Sequence, residues 1–134
     1  MSLEIQQRDR EGIILLDLDG RLTVGAEVAK FRERIQKAVT SGQRSIILNL
    51  EKVDYIDSTG LGALVMGYTS VQRAEGKVKL LNLSRRSIEL LIMTKLTTIF
   101  EVFDDEQNAI NSFFPDREIK RFDILNFVQQ MKEE

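Results

Sequence analysis

Carboxylates at the ends of two strand-like runs are the first residues of this sequence that could do chemistry. Asp17 and Asp19 stand two residues apart after the apolar residues 13–16. Two carboxylates at this spacing at a strand end can share a cation while one of them attacks a phosphoryl group. Asp104 and Asp105 follow a later strand-like run and could supply further oxygen ligands for magnesium. These residues indicate a candidate site for metal-dependent phosphoryl transfer.

A second candidate is the hexad formed by residues 57–62, Asp-Ser-Thr-Gly-Leu-Gly. It follows the mostly apolar residues 45–50 and precedes apolar residues at helical spacing, so it lies where a strand gives way to a helix. Asp57 and Ser58 are ordinary capping residues, because their oxygens accept from the free N–H groups of a first helical turn. Gly60, Ala63 and Gly67 keep one face of the helix thin for close packing. The residue types alone therefore favour a structural role for the hexad.

The hexad, placed after a strand and an apolar loop, resembles the motif of STAS domains. This family includes anti-sigma factor antagonists and the cytoplasmic tails of sulphate transporters. In the family, an anti-sigma kinase phosphorylates the serine directly after the aspartate, and that serine corresponds to Ser58 here. Thr59 is the neighbouring hydroxyl and the less favoured acceptor. The resemblance implies a binding protein without enzymatic activity, which holds a kinase-type anti-sigma factor until Ser58 is phosphorylated.

The resemblance also implies partners and contact residues. A serine kinase that is itself the anti-sigma factor would modify Ser58 with its own ATP, and a PP2C-type phosphatase would reset the switch. No cofactor or metal is therefore expected on this chain. A phosphoserine adds about −1.5 to −2 charges, which Asp57 and a packed partner surface would not tolerate. The residues expected to contact the partner are Asp57, Ser58, Thr59, Gly60, Leu61, Gly62, Arg21 and Thr23. Leu61 is expected to be exposed on the first helical turn.

Two alternatives stay open. Within the same fold, the chain could be a STAS adaptor subunit of another assembly, such as a lipid-transport ATPase or a stress-sensing complex. Outside it, residues 15–20 resemble the first motif of haloacid-dehalogenase-like phosphatases, and residues 103–105 resemble their magnesium-binding acidic pair. The sequence departs from that pattern at Arg21, where those enzymes carry a small Thr or Val. Residues 20–22 also resemble the turn after the second STAS strand, which often continues into an Asp where this chain has Thr23.

Composition excludes several classes of function. The chain has 134 residues, 43% of them apolar, which is enough for one domain with a single core. Without Cys or His, thiol chemistry, disulfides, zinc sites and imidazole catalysis are excluded. A net charge of −2 gives no overall attraction to nucleic acid or to an anionic membrane. The basic pairs Lys77/Lys79 and Arg85/Arg86 are expected on solvated faces. With neither a membrane span nor a secretory signal in the sequence, we expect a cytoplasmic protein.

The hydrophobic pattern predicts an α/β fold with the order β-β-α-β-α-β-α-β-α. A hairpin followed by strand-helix alternation implies a mixed sheet, parallel in its later part, with helices packed on it. The expected strands are residues 3–7, 13–18, 45–50, 78–83 and 99–103. The expected helices are residues 24–39, 58–75, 85–96 and 105–113. This order agrees with the STAS fold.

Capping signals place the ends of these helices. Thr23 and Gly42 are expected to begin and end the first helix, and Gly76 to end the second. Ser84 is expected to cap the third helix. Asp104, at capping-box spacing from Gln107, is expected to begin the fourth.

The only proline, Pro115, divides a STAS domain at residues 1–114 from a C-terminal extension at residues 115–134. Within the extension, one apolar stripe at i, i+3, i+4 and i+7 predicts a short amphipathic helix. The stripe consists of Ile124, Phe127, Val128 and Met131. The favoured interpretation is that this helix docks on its own domain. The alternatives are docking on a second copy, which would give a homodimer, or on a different partner.

Overall fold

The computed structural model describes residues 2–133, and its centre is a five-stranded mixed sheet. The strands are β1 (Leu3–Arg10), β2 (Ile13–Leu22), β3 (Ser45–Ile56), β4 (Lys77–Leu81) and β5 (Val102–Phe103). They lie side by side in the order β1-β2-β3-β4-β5. The β1–β2 hairpin is antiparallel and all later pairs are parallel. The mixed sheet predicted from the sequence is confirmed.

The helices are α1 (Ala26–Thr40), α2 (Ser58–Arg73), α3 (Arg85–Met93), α4 (Glu106–Asn111) and α5 (Ile124–Lys132). The first three connect the parallel strands as the alternating pattern predicted, and the last two follow β5. A short 3-10 turn, Leu96–Thr98, follows α3. Helices α1 to α4 complete the predicted order, and α5 is the C-terminal extension. Within residues 2–133, no helix combines the length and the apolar character that crossing a membrane requires.

Alternate side chains of β2, β3 and β4 point to opposite faces of the sheet, and each face is buried in its own core. The larger core lies under α1 and α2 and also takes in Leu91 of α3. The smaller core lies under α4 and is built on Ile47, Leu81 and Phe103. Gly60, Ala63 and Gly67 of α2 are all buried, so the thin helix face expected from the sequence is present. A Cβ at Gly67 would lie 3.6 Å from the side chains of Ile35 and Phe31, which is an ordinary contact distance, so the packing of α2 on α1 does not require glycine at that position.

The predicted bounds of the strands are wrong in several places. β1 and β2 continue to Arg10 and Leu22, beyond the predicted ends at residues 7 and 18, so that Asp19 and Gly20 lie within β2. β4 ends at Leu81 and not at residue 83.

β3 does not end at residue 50 but continues to Ile56, because Val53 and Ile56 stay buried and the strand keeps pairing with β2 as far as Leu22. The apolar loop expected before the hexad is therefore strand. β5 is shorter than predicted. Residues 99–101 are not strand, and the N–H of Phe100 donates to the carbonyl of Leu96 at 3.1 Å, in continuation of the 3-10 turn.

The predicted start of α1 is also wrong. The helix begins at Ala26 with Gly25 in the capping position, and no side chain caps it. The hydroxyl of Thr23 instead donates to the carboxylate of Glu27 at 3.2 Å. Val24, the first residue of the predicted helix, lies outside α1 and is 65% exposed. The predicted end is confirmed, since Gly42 follows the helix with a left-handed φ of 86°.

Three further capping predictions can be compared with the structure. Ser84 caps α3 as expected, with its hydroxyl accepting from Ser87 N at 3.1 Å. Asp105, rather than Asp104, caps α4 and accepts from the N–H of Asn108 at 2.9 Å. After α2, Glu75 and not glycine takes the left-handed conformation, with φ 64°. Gly76 is needed for a different reason, because a Cβ there would lie 2.7 Å from the carbonyl oxygen of Arg44.

Lys79 contradicts the expectation that it lies on a solvated face. The residue is only 3% exposed, because β4 points its side chain under α4 and the segment that follows it. Its Nζ donates to the hydroxyl of Ser112 at 2.8 Å and pairs with Glu101 at 3.1 Å. Burial lowers the pKa of the ammonium group, whereas Glu101 opposes that shift. Lys77 is exposed, as predicted.

The extension beyond residue 114 returns to the domain. The N–H of Phe122 donates to the carbonyl of Val102 at 3.1 Å, and Arg121 pairs with Glu101 at 2.8 Å. All four residues of the predicted stripe on α5 are half-buried, and the ring of Phe127 lies 5.8 Å from that of Phe122. The amphipathic helix is confirmed. We retain the division of the chain at residue 114 as a proposal.

Candidate functional site

Asp57 fixes the junction between β3 and α2. One carboxylate oxygen accepts from the N–H of Gly60 at 2.7 Å, which caps the helix as the sequence predicted. The other oxygen accepts from the N–H of Val24 at 2.9 Å. The N–H of Asp57 itself donates to the carbonyl of Leu22 at 3.3 Å. The side chain thus ties the start of α2 to the loop between β2 and α1.

These hydrogen bonds predict how the stability of the protein depends on pH. The backbone N–H groups of Val24 and Gly60 favour the ionised carboxylate and hold the pKa of Asp57 below its ordinary value of 3.8. The resulting stabilisation is complete above that ordinary pKa and is lost as pH falls through the lower folded pKa. We expect Asp57→Asn to lower the Tm at pH 7, because its amide nitrogen cannot accept from Val24.

Thermal melting at pH 7 and pH 3 measures this effect. The difference in Tm between the parent protein and Asp57→Asn should shrink at pH 3, because pH 3 lies below the ordinary pKa of 3.8 and the stabilisation from the ionised carboxylate is already partly lost there. Equal Tm values at pH 7 would contradict the role of Asp57 as a double acceptor.

The two glycines of the hexad have different surroundings. Gly60 is buried where α2 passes over the end of β2, and a Cβ there would lie 1.9 Å from the carbonyl oxygen of Leu22. Gly62 is exposed, and a Cβ there would meet nothing within 4 Å. Gly60 is therefore required for the approach of the helix to the strand, whereas the fold does not require Gly62.

The hydroxyls and Leu61 occupy the first turn of α2. Ser58 is the first helical residue and is exposed, while Thr59 is half-buried. Leu61 was expected to be exposed, but it is half-buried and packs against the larger core, because the first turn of α2 lies close to the sheet. Of the two hydroxyls, Ser58 is the more accessible to a modifying enzyme.

Arg21 and Thr23 lie at the same edge of the sheet as the hexad. In the parallel pairing of β2 with β3, Arg21 is opposite Tyr55 and Leu22 is opposite Ile56. Arg21 is exposed and Thr23 is half-buried. The structure therefore brings together the two parts of the contact surface expected from the resemblance. Their role in binding stays a prediction.

A groove beside Ser58 could not be found from the sequence. It has a volume of about 450 Å³ and lies between the end of β3, the first turn of α2 and the outer face of α3. Tyr55, Leu61, Leu90 and Met93 supply its apolar lining. The guanidinium of Arg86 lies over the ring of Tyr55, 4.9 Å from its centre. The sequence predicted the third helix, but nothing in the sequence indicates that this helix lies beside the hexad.

The acidic residues that resembled a phosphatase site do not come together. Register places Asp17 opposite Asn49, Asn49 opposite Leu81, and Leu81 opposite Phe103. Asp104 therefore follows a strand three positions away from that of Asp17, or about 14 Å at ordinary strand spacing. Within residues 2–133, no group of three or more Asp or Glu side chains is arranged to hold a metal ion.

Other side chains engage the Asp17 carboxylate. It forms an ion pair with Arg8 at 2.6 Å and accepts from the amide of Asn49 at 2.8 Å. Burial opposes ionisation, but the hydrogen bonds from Arg8 and Asn49 prevail and lower the pKa of Asp17. The Asp17 carboxylate therefore has a structural role, since it links β2 to the neighbouring strands β1 and β3.

Comparisons with known proteins identify relatives of the chain. A family model described as the STAS domain matches residues 4–109. The anti-sigma-B factor antagonist of Bacillus subtilis is 30% identical over 110 residues, which cover 82% of this chain and 99% of that protein. A crystal structure described as an anti-sigma factor antagonist from Thermotoga maritima superposes with a TM-score of 0.76 at 21% identity, covering 81% of this chain and 92% of the other. The Bacillus cell fate determinant SpoIIAA in its phosphorylated form gives 0.65 at 23% identity, over 82% and 99% of the two chains. The two structural matches establish the fold.

Proposed function

Because the chain belongs to the STAS domain family, we propose that it is an anti-sigma factor antagonist switched by phosphorylation of Ser58. In the unphosphorylated state it binds a kinase-type anti-sigma factor and so frees a sigma factor for transcription. Phosphorylation releases the anti-sigma factor. The observation that carries this proposal is the exposure of Ser58 on a rigid strand-to-helix junction, directly after the Asp57 cap.

The surroundings of Ser58 suit a protein interface. Three large apolar side chains near it are exposed: Val24 by 65%, Tyr55 by 38% and Met93 by 78%. Tyr55 and Met93 line the groove together with Ser58, and the backbone of Val24 is bonded to Asp57. Apolar groups clustered on a surface in this way are typical of sites that bind another protein.

Electrostatics explains how phosphorylation would act on this surface. A phosphoserine carries about −1.5 to −2 charges at neutral pH, and the N-terminus of α2 favours negative charge. Asp57 stays ionised beside it, because backbone N–H groups lower the pKa of that carboxyl. The fold should therefore tolerate the phosphate. A partner surface packed against Ser58 would meet two adjacent negative groups and lose affinity.

The proposal assigns chemistry to the partners and not to this chain. The anti-sigma factor would supply ATP and the kinase activity, and a PP2C-type phosphatase would remove the phosphate. The chain itself acts as a cytoplasmic binding protein without catalytic activity. It affects transcription by binding the anti-sigma factor and not by direct contact with nucleic acid.

Labelling with the cognate anti-sigma kinase and ATP tests the site of modification. We expect mass spectrometry to find one phosphate on Ser58 and none on Thr59, because Ser58 is exposed and Thr59 is half-buried. Ser58→Ala should abolish the labelling, and Thr59→Ser should leave it on Ser58. Phosphate on residue 59 alone, or no phosphate with an active cognate kinase, would refute the proposed switch.

A further inference from the structure

The groove beside Ser58 contains charges of both signs. Asp54 and Asp57 lie on the wall formed by β3 and the start of α2, and Glu89 lies on the α3 wall. Arg86 is the only cationic side chain among the described residues that line the groove. Both oxygens of Asp57 already accept backbone N–H groups. Arg86 is therefore the group in the groove that is suited to receive a new anion.

Arg86 already reaches across the groove. It belongs to the first turn of α3, yet its guanidinium carbon lies 4.9 Å from the ring centre of Tyr55 at the end of β3. Tyr55 precedes Ser58 by three residues, and both line the same groove. A change of rotamer of the arginine side chain is the movement that would carry its guanidinium from the tyrosine ring toward Ser58 in the same groove.

We propose that Arg86 receives the phosphate on Ser58 and bridges the groove from α3 to α2. The inference rests on the proposed function, because it needs Ser58 to be modified. The guanidinium fork matches phosphate oxygens with two parallel hydrogen bonds, and a charge-assisted pair of this kind is stronger than an exposed contact with an aromatic ring. Arg86 thus leaves the ring face of Tyr55 and binds the phosphate.

The bridge adds a second way in which phosphorylation excludes the partner. With Arg86 stacked on Tyr55, the apolar lining at Leu61 and Leu90 is open to a side chain of the anti-sigma factor. With Arg86 bound to the phosphate, the mouth of the groove is covered. Phosphorylation then removes a binding groove as well as adding charge.

The second pKa of the phosphate measures this contact directly. Phosphoserine is introduced at position 58 of the full chain by genetic encoding, in the parent protein and in Arg86→Gln, and each protein is titrated by phosphorus-31 NMR. A cation in contact favours the dianion, so it lowers a pKa that is ordinarily about 6. We expect Arg86→Gln to raise this pKa by about half a unit or more.

Two controls separate a specific contact from a general charge effect. Arg73→Gln removes the same charge at the opposite end of α2, roughly 22 Å away along the helix axis, and should leave the phosphate pKa unchanged. Arg86→Lys keeps the charge and should restore part of the lowering. An equal pKa in the parent and Arg86→Gln, an equal rise in Arg73→Gln, or no restoration by lysine would each overturn the proposal.

The titration and the kinase labelling can fail independently of each other. Because the phosphoserine is encoded and not made by a kinase, the titration can fail while kinase labelling of Ser58 succeeds. Labelling can also fail while the titration shows the contact. The two failures are therefore distinguishable.

Discussion

Gly60→Ala is expected to destabilise the protein by about 3 kcal/mol, at the upper end of what overpacking a close contact costs. The added Cβ would lie 1.9 Å from the carbonyl oxygen of Leu22, which is backbone and cannot turn aside as a side chain could. Relief requires α2 to move away from β2, and that movement strains the hydrogen bond from Asp57 N to the same carbonyl. Urea unfolding and thermal melting measure the loss.

Gly62→Ala is the matched control for Gly60→Ala. It makes the same chemical change two residues further along α2, where the new Cβ meets nothing within 4 Å. Alanine is favoured over glycine inside a helix by about 1 kcal/mol, so this variant should be as stable as the parent or slightly more stable. If both variants lose stability equally, the close approach of α2 to Leu22 is not the cause.

Ser58→Asp is expected to weaken binding of the anti-sigma factor by about 100-fold or more, which corresponds to roughly 2.7 kcal/mol. The substitution places a charge beside the ionised Asp57 in the centre of the proposed contact surface. The fold should barely change, with a Tm within about 3 °C of the parent, because acidic residues are favourable in a first helical turn. Titration calorimetry and thermal melting on one sample separate the two effects.

Two variants serve as controls for Ser58→Asp. Ser58→Ala should bind the anti-sigma factor as the parent does and should remain bound in the presence of ATP. Gln36→Glu adds the same charge to an exposed position on α1 and should not alter binding. A large fall in Tm for Ser58→Asp would show that the residue is structural. Unchanged affinity with an intact fold would refute the switch.

The order of the helices and strands was determined by the sequence itself. Alternating apolar residues predicted the opening hairpin, and helical spacing predicted α1, α2 and the amphipathic α5, because these periods follow from the local geometry of each element. The hexad showed where α2 begins, since an aspartate cap acts on an N–H three residues away. Gly42 and Ser84 were predicted on similarly local grounds. The resemblance of the hexad to the STAS motif also identified the family.

Contacts between distant parts of the chain decided the rest. β3 reaches Ile56 because β2 pairs with it there, and Lys79 is buried because α4 and the segment after it cover that strand. The groove beside Ser58 exists because α3 packs next to the hexad, which no local pattern encodes.

The two glycines of the hexad show the physical reason for this division. In the sequence, Gly60 and Gly62 stand two residues apart in the same helical turn, and helical spacing predicted that Gly60 lies on the packing face. It is the position of the Leu22 carbonyl, on a different strand, that makes Gly60 indispensable to the fold, whereas Gly62 is open to solvent. Local periodicity determines whether each segment forms a helix or a strand. The packing of helices and strands against one another determines at which positions a side chain can be accommodated.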